Sequence, residues 1–153
     1  GTTLLIALTI ACSVSVQVAK AEQAFNLRHY EARYRTVGRY LDAVLPSSAV
    51  VITEQESASV HHYTHRSVVR WDLLRIDLDE AVSTLEALGR SPMLLVEDWE
   101  GPNLRAKFPT SRLASLDWRP RADIGSETRV RLFDPERAAR ETLALYERIR
   151  AVE

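Results

Sequence analysis

One cysteine, Cys12, stands in the whole chain. It excludes an internal disulfide and a cysteine-built zinc cage, and it leaves the redox compartment unreadable. A basic surplus is missing too: 20 basic residues face 21 acidic ones, for a net charge of −1. A dedicated nucleic-acid binder carries basic excess on one face, so no nucleic-acid partner is expected. The motifs GxGxxG, GxxxxGK(S/T), GxSxG and HExxH are absent, which removes the usual signals for phosphate cradles, nucleophile elbows and zinc hydrolases. The first residue is Gly1 rather than Met, so the chain is expected to be a piece of something longer or a processed product.

Charge is also missing from the first nineteen residues, GTTLLIALTIACSVSVQVA. As a helix they would span about 28 Å, close to the hydrocarbon thickness of a bilayer. Residues 1–20 are therefore expected to be a transmembrane helix, held in lipid through residues 4–19. A buried core helix and a signal remnant are the rivals, although the basic region that opens a signal peptide is missing. Just beyond the run, Lys20, Arg28, Arg33, Arg35 and Arg39 outnumber Glu22 and Glu31. The positive-inside rule would put that side in the cytoplasm, but long domains translocate largely regardless of charge.

What remains, residues 21–153, suits one domain with a full core. The chain is 46% hydrophobic and 27% charged, an ordinary globular balance. Tyr30, Tyr34, Val37, Leu41 and Val44 form one apolar stripe and predict a helix over 20–45, ended by Pro46. Ala49–Thr53 (AVVIT) reads as a buried strand. Ser57 opens a short helix as its cap, and Ser67–Trp71 reads as a second strand. Asp77 caps a further helix with a stripe at Leu78, Ala81, Val82, Leu85 and Leu88, closed by Gly89. Pro92–Glu97 is a third strand, and 102–108 a short helix. Leu113–Trp118 and Thr128–Phe133 are two more strand candidates. Asp134 caps the last helix, with Leu143, Tyr146 and Ile149 on one face. The alternation predicts an α/β fold: a small, mainly parallel sheet with flanking helices in Rossmann-like layering, the last two strands free to pair differently.

In open parallel sheets, ligands bind beyond the C-terminal strand ends. There the chain places Gln55 and Ser57 after strand one, Asp72 after strand two with Arg70 near that strand's end, and Asp98, Trp99 and Glu100 after strand three. Polar loop starts are also ordinary helix caps. Arg66 and Arg70 could clamp a phosphate or carboxylate, but the nearby acids favour ion pairing that holds the edge in shape, so Arg70→Ala is expected to lower stability clearly. His61 and His65 share a helical face and could hold zinc only with a third ligand such as Glu56, Asp72 or Asp98; surface histidines are the better account, and no metal or other cofactor is expected. Trp71, Trp99 and Trp118 could form a sugar-stacking platform, although tryptophans near strand ends are more often core.

The order Gln55-x-Ser57-x-Ser59, Tyr63-x-x-Arg66, Arg70-Trp71-Asp72 resembles a segment of bacterial polytopic glycosyltransferases of the family-39-like group. These are related to dolichyl-phosphate-mannose–protein mannosyltransferases. Gly89, Glu97-Asp98-Trp99-Glu100, Phe108 and Leu116-Asp117-Trp118 extend the resemblance over about residues 28–134. The resemblance implies a last membrane helix leading into a soluble α/β domain on the extracytoplasmic side. It adds Tyr63 to the candidate ligand-binding residues, beside Arg66, and it implies as partners the rest of a membrane enzyme and a lipid-linked sugar or its acceptor. The family's catalytic acid lies in an outer loop near the start of the membrane part, so none is carried onto this chain. His65 stands where a small residue or glycine is expected, and His61 and His62 where basic or aromatic residues are. Two other functions remain open: a membrane-anchored module for a small polar ligand, and a hydrolase using the acidic and histidine cluster.

Overall fold

The computed structural model describes residues 1–22, 27–125 and 129–150. The chain divides into two compact units, Gly1–Arg33 and Tyr34–Glu153. In the first unit, helix α1 spans Thr2–Ala21 and buries no side chain. Among the described residues it is the one helix long and apolar enough to cross a membrane. Two hydroxyls that dilute its apolar run turn back on the helix: Thr9 Oγ1 donates to the Leu5 carbonyl at 2.9 Å and Ser13 Oγ to the Thr9 carbonyl at 2.8 Å. A hydroxyl satisfied this way costs little in lipid.

The second unit is an α/β layer structure. Its strands are β1 (Ala49–Thr53), β2 (Ser67–Arg70), β3 (Ser91–Glu97), β4 (Ala122–Ile124) and β5 (Val130–Phe133), in the order β2-β1-β3-β5-β4. β1 pairs with β2 and β3 in parallel, while β5 pairs with β3 and β4 in antiparallel fashion. The sheet is therefore mixed, with its parallel character confined to β2-β1-β3. Helices α3 (Ser57–Thr64), α4 (Leu78–Ala87), α5 (Gly101–Lys107) and α6 (Pro135–Arg150) complete the elements, with the part of α2 (Leu27–Val44) from Tyr34 onward.

Alternation along the strands sorts the core into two layers. Ile52, Leu94, Val96 and Phe133 pack with Leu78 and Val82 of α4 and Leu104 of α5. Ala49, Val51, Met93, Leu95 and Leu132 pack with Val37 and Leu41 of α2 and Val60 of α3. Both faces are covered, which is why β1 reads as an unbroken apolar run, buried at all five positions. The side chains of Tyr30, Leu143, Tyr146 and Ile149, and residue Thr128, lie outside what the structure describes.

Local signals account for most boundaries. The Asp77 carboxylate accepts from the Asp79 backbone N–H at 2.9 Å and starts α4. At its end, Gly89 takes φ +70° while its N–H reaches the Glu86 carbonyl and the Arg90 N–H reaches Leu85. That pair of bonds is the Schellman closure that a glycine permits. Leu88, placed on the apolar stripe by its spacing, is 70% exposed. Asp134 caps α6 by accepting from the Arg137 N–H at 3.0 Å. Ser57 is the first residue of α3 rather than its cap, a position held by Glu56.

Two strand expectations fail. Trp71 leaves β2 for a single 3-10 turn, Trp71–Leu73. Leu113–Trp118 is no strand: Leu113–Ser115 forms another 3-10 turn, and the strand falls at Ala122–Ile124. The cause is Asp79, whose carboxylate accepts the N–H groups of Arg112 (2.9 Å) and Leu113 (3.1 Å) and the Ser111 hydroxyl (2.7 Å). Donors taken by a side chain are lost to a ladder.

α3 ends on His65 at φ +53°, the left-handed region in which side chains are strained. A glycine fits that conformation freely, which explains the small residue expected there. His65→Gly is expected to raise the unfolding free energy by about 0.5–1 kcal/mol, since relief of strain outweighs the added freedom of the unfolded chain. Urea unfolding checks this; a destabilised variant would mean that the exposed imidazole contributes more than its backbone costs.

Candidate functional site

The chain steps from β1 to β2 on one side and then across to β3 on the other. This reversal puts the topological switch point at the carboxyl ends of β1 and β3, the position where such sheets bind ligands. Gln55 follows β1 there, Arg70 ends β2 with Asp72 just beyond it, and Asp98, Trp99 and Glu100 follow β3. Ser57 opens α3 at the same edge. The polar clusters thus converge as their strand positions require.

Glu100 ties this edge together. Its Oε1 accepts from the Gln55 N–H at 3.1 Å and its Oε2 from the Glu97 N–H at 2.7 Å, so one carboxylate joins the ends of β1 and β3. The Glu97 side chain accepts in return from the Glu100 backbone, completing a reciprocal capping box at the turn Asp98–Glu100. Its Oε2 also takes the Trp99 indole N–H at 2.6 Å. Glu56 Oε2 receives the Ser59 hydroxyl at 2.5 Å. All three glutamates are fully buried. Burial pushes the Glu100 carboxyl up despite its two backbone donors, and the charges of Glu97 and Glu54 add to the rise.

The arginines play other parts. Arg70 and Asp72 form a two-pronged pair, with Nε to Oδ1 at 3.0 Å and an amino group to Oδ2 at 2.6 Å. The Arg70 side chain is 47% exposed, so the pair lies on the surface rather than inside the edge. Hydrogen bonding and proximity to Asp72 raise the guanidinium's pKa, and the same bonds lower that of Asp72 against its partial burial. Exposed pairs contribute little to stability, which corrects the expectation that Arg70→Ala would be clearly destabilising. Lys107 reaches the Asp72 carbonyl from α5 at 2.5 Å.

Arg66 is not at this edge. It precedes β2, at the opposite end of the sheet, and donates to the carbonyls of Leu45 (3.0 Å), Pro46 (3.0 Å) and Thr64 (2.9 Å), closing the ends of α2 and α3. Its nearest acid is Asp42 at 3.8 Å, not the strand-end cluster. Tyr63 packs where α3 meets α2: a Cβ on Gly38 would lie 2.5 Å from its own Cβ. Of the nine candidates, Tyr63 and Arg66 therefore stand apart from the strand-end group.

The tryptophans divide as well. Trp71 is buried, and half-buried Trp118 packs on Phe133 with ring centroids 4.9 Å apart. Trp99 is 50% exposed. Beside it, Asp98 pairs with Arg131 at 2.9 Å, and the exposed Gln55 donates to the Tyr34 hydroxyl at 3.1 Å. Among the described residues no three His, Cys, Asp or Glu side chains gather as metal ligands. His61 and His65 line a shallow open groove with Ser57, Arg66 and Arg70.

Comparison with family models, curated proteins and solved structures found no match. The chemistry must be read from the edge itself. Its buried acids accept backbone, hydroxyl or indole donors. Sequence reasoning placed Glu100 among ligand-facing residues, named Glu56 only as a possible third ligand for zinc and gave Glu97 no ligand role. The available signal for a framing role was the Glu97-x-x-Glu100 spacing at the start of a turn that runs straight into α5.

Proposed function

We propose that the chain is the terminal membrane helix and extracytoplasmic accessory domain of a membrane glycosyltransferase that draws on a polyprenyl-phosphate-linked sugar. The observation that carries this reading is the pairing of α1, uncharged from Gly1 to Ala19 and without a buried side chain, with an α/β unit whose motif-bearing strand-end edge is already braced. The resemblance in residues 28–134 supports it, because Gln55 and Glu97-Asp98-Trp99-Glu100 fall together at that edge. The carboxylates there suit a scaffold rather than an acid or base: Glu56, Glu97 and Glu100 are buried. The domain would cover the membrane active site or help to hold a substrate, while the catalytic acid lies elsewhere in the enzyme.

The reading is tested at two levels. The open reading frame upstream of Gly1 is expected to encode several hydrophobic spans. In membranes containing that longer protein, deletion of residues 34–153 is expected to abolish sugar transfer, and the isolated chain of 153 residues is expected to transfer none. Transfer by the isolated chain, or a deletion that leaves transfer intact, would overturn it.

A further inference from the structure

We propose that Trp99 is the stacking platform of a binding site for a neutral pyranose, a proposal that names the ligand of the edge described above and rests on that reading. An exposed tryptophan on a loop end ordinarily rotates about two torsions. Here the indole N–H points inward to Glu97 Oε2 at 2.6 Å, and Glu97 is itself buried and locked to Glu100 through the capping box. One edge of the ring is thereby anchored to the sheet while half of the residue stays in solvent. A ring fixed before binding loses little entropy on stacking.

The surroundings select the ligand. Aromatic faces are electron-rich and attract the weakly positive C–H groups of a sugar ring. Hydroxyls of such a ring need acceptors and donors beside the platform. Asp98, next in the chain and 45% exposed at its side chain, offers a carboxylate, and exposed Gln55 offers an amide. The backbone of Gln55 is tied to Glu100, the residue after Trp99, which brings the two loops together. Charge excludes the alternative. Glu54, Glu56, Glu97, Asp98 and Glu100 crowd this edge, and the cations beside them are already paired: Arg131 with Asp98, Arg129 with Asp123 and Arg70 with Asp72. A phosphate or carboxylate would meet net negative potential, so the sugar ring rather than an anionic group is the recognised part.

The test is ligand-observed saturation-transfer NMR on the full chain in lipid nanodiscs, which avoids sugar-based detergents. The probes are the methyl α-pyranosides of mannose, glucose and galactose, together with mannose 6-phosphate. At least one neutral pyranoside is expected to bind, and mannose 6-phosphate to bind more weakly. Trp99→Ala is expected to lower that affinity by at least about tenfold, the loss of a single stacking contact. Trp99→Phe keeps a ring but not its anchor, and is expected to fall between wild type and Trp99→Ala. Both variants are checked for an unchanged unfolding midpoint. The proposal is overturned by the absence of binding to all three neutral sugars, by affinity that survives Trp99→Ala, or by tighter binding of the phosphorylated sugar. Absent sugar binding combined with transfer that still requires residues 34–153 would remove the platform and leave the accessory role. Sugar binding combined with transfer that does not require them would do the reverse.

Discussion

Glu100→Ala is expected to lower the unfolding free energy by about 2–4 kcal/mol at neutral pH, the sum of two backbone donors left without their acceptor and reduced by relief of charge repulsion. The donors are the N–H groups of Gln55 and Glu97, at the ends of the two central parallel strands. The repulsion comes from Glu97 and Glu54, which raise the Glu100 carboxyl beyond the effect of burial. Glu100→Gln separates these contributions. Its amide oxygen can accept one N–H, while its amino group opposes the other, so its cost should be smaller than that of alanine. The pH dependence has a definite sign. A carboxyl raised in the folded state takes up a proton more readily there than in the unfolded chain, so its ionisation penalty disappears as pH falls through the raised value toward the ordinary glutamate range. Wild type should therefore gain on Glu100→Gln as the pH is lowered through that window. Denaturant unfolding followed by tryptophan fluorescence at stepped pH gives both quantities. An alanine variant as stable as wild type would show that the carboxylate does not hold the strand ends.

Those strand ends also show what sequence could and could not convey. β1 and α4 were legible to within a residue because their signals are local: five consecutive apolar residues in one, an aspartate cap and a closing glycine in the other. The convergence of Gln55, Asp98 and Glu100 was legible because chain order alone places loops after parallel strands on one edge. Partners were not. Arg66 looked available to the acidic cluster, yet it stands at the start of β2, and a strand's start and end lie on opposite edges. The failed strand at Leu113–Trp118 had a different cause. Its short mixed run of apolar and polar residues is compatible with a strand, and the group that takes its backbone donors lies over 30 positions away in sequence, at Asp79. The mixed sheet has the same origin. β5 runs antiparallel to β3 because its chain returns through the short strand β4, which the run 113–118 had displaced in the sequence reading. Buried acids were the other blind spot. A glutamate beside a strand end reads as polar and solvent-facing, and only the pairing of Glu97 with Glu100 three residues later hinted that both turn inward.

Asp79 gives the second large effect, and its acid sensitivity runs opposite to that of Glu100. Its carboxylate accepts from the Ser111 hydroxyl and from the backbone of Arg112 and Leu113, and so fastens the 111–115 segment to the first turn of α4. Leu113 and Ala114 from that segment enter the same core layer as Leu78 and Val82. Removing the acceptor would leave three donors unmatched and loosen the segment that carries two core residues. Hydrogen bonds to a charged group contribute roughly 1.5–3 kcal/mol each when partly buried, but they are not additive, so Asp79→Ala is expected to cost about 2–4 kcal/mol. That is a large share of the 5–15 kcal/mol (roughly) that a typical domain possesses. Burial alone would push the Asp79 carboxyl up; the donations from Ser111, Leu113 and Arg112, with the charge of Arg112, outweigh it and hold the carboxyl below the usual aspartate range. A lowered folded-state value means that the stabilisation is present above the unfolded aspartate pKa of about 3.9 and is lost as pH falls through the lower folded value. Asp79→Asn keeps one acceptor oxygen without a titrating charge. It should therefore be less damaging than alanine at pH 7, and the gap between it and wild type should narrow below the aspartate range. Melting curves of wild type, Asp79→Asn and Asp79→Ala from pH 7 down to about pH 3 test the sequence of effects. A gap between wild type and Asp79→Asn that stays constant with pH would mean that the charge on Asp79 does not strengthen its three hydrogen bonds.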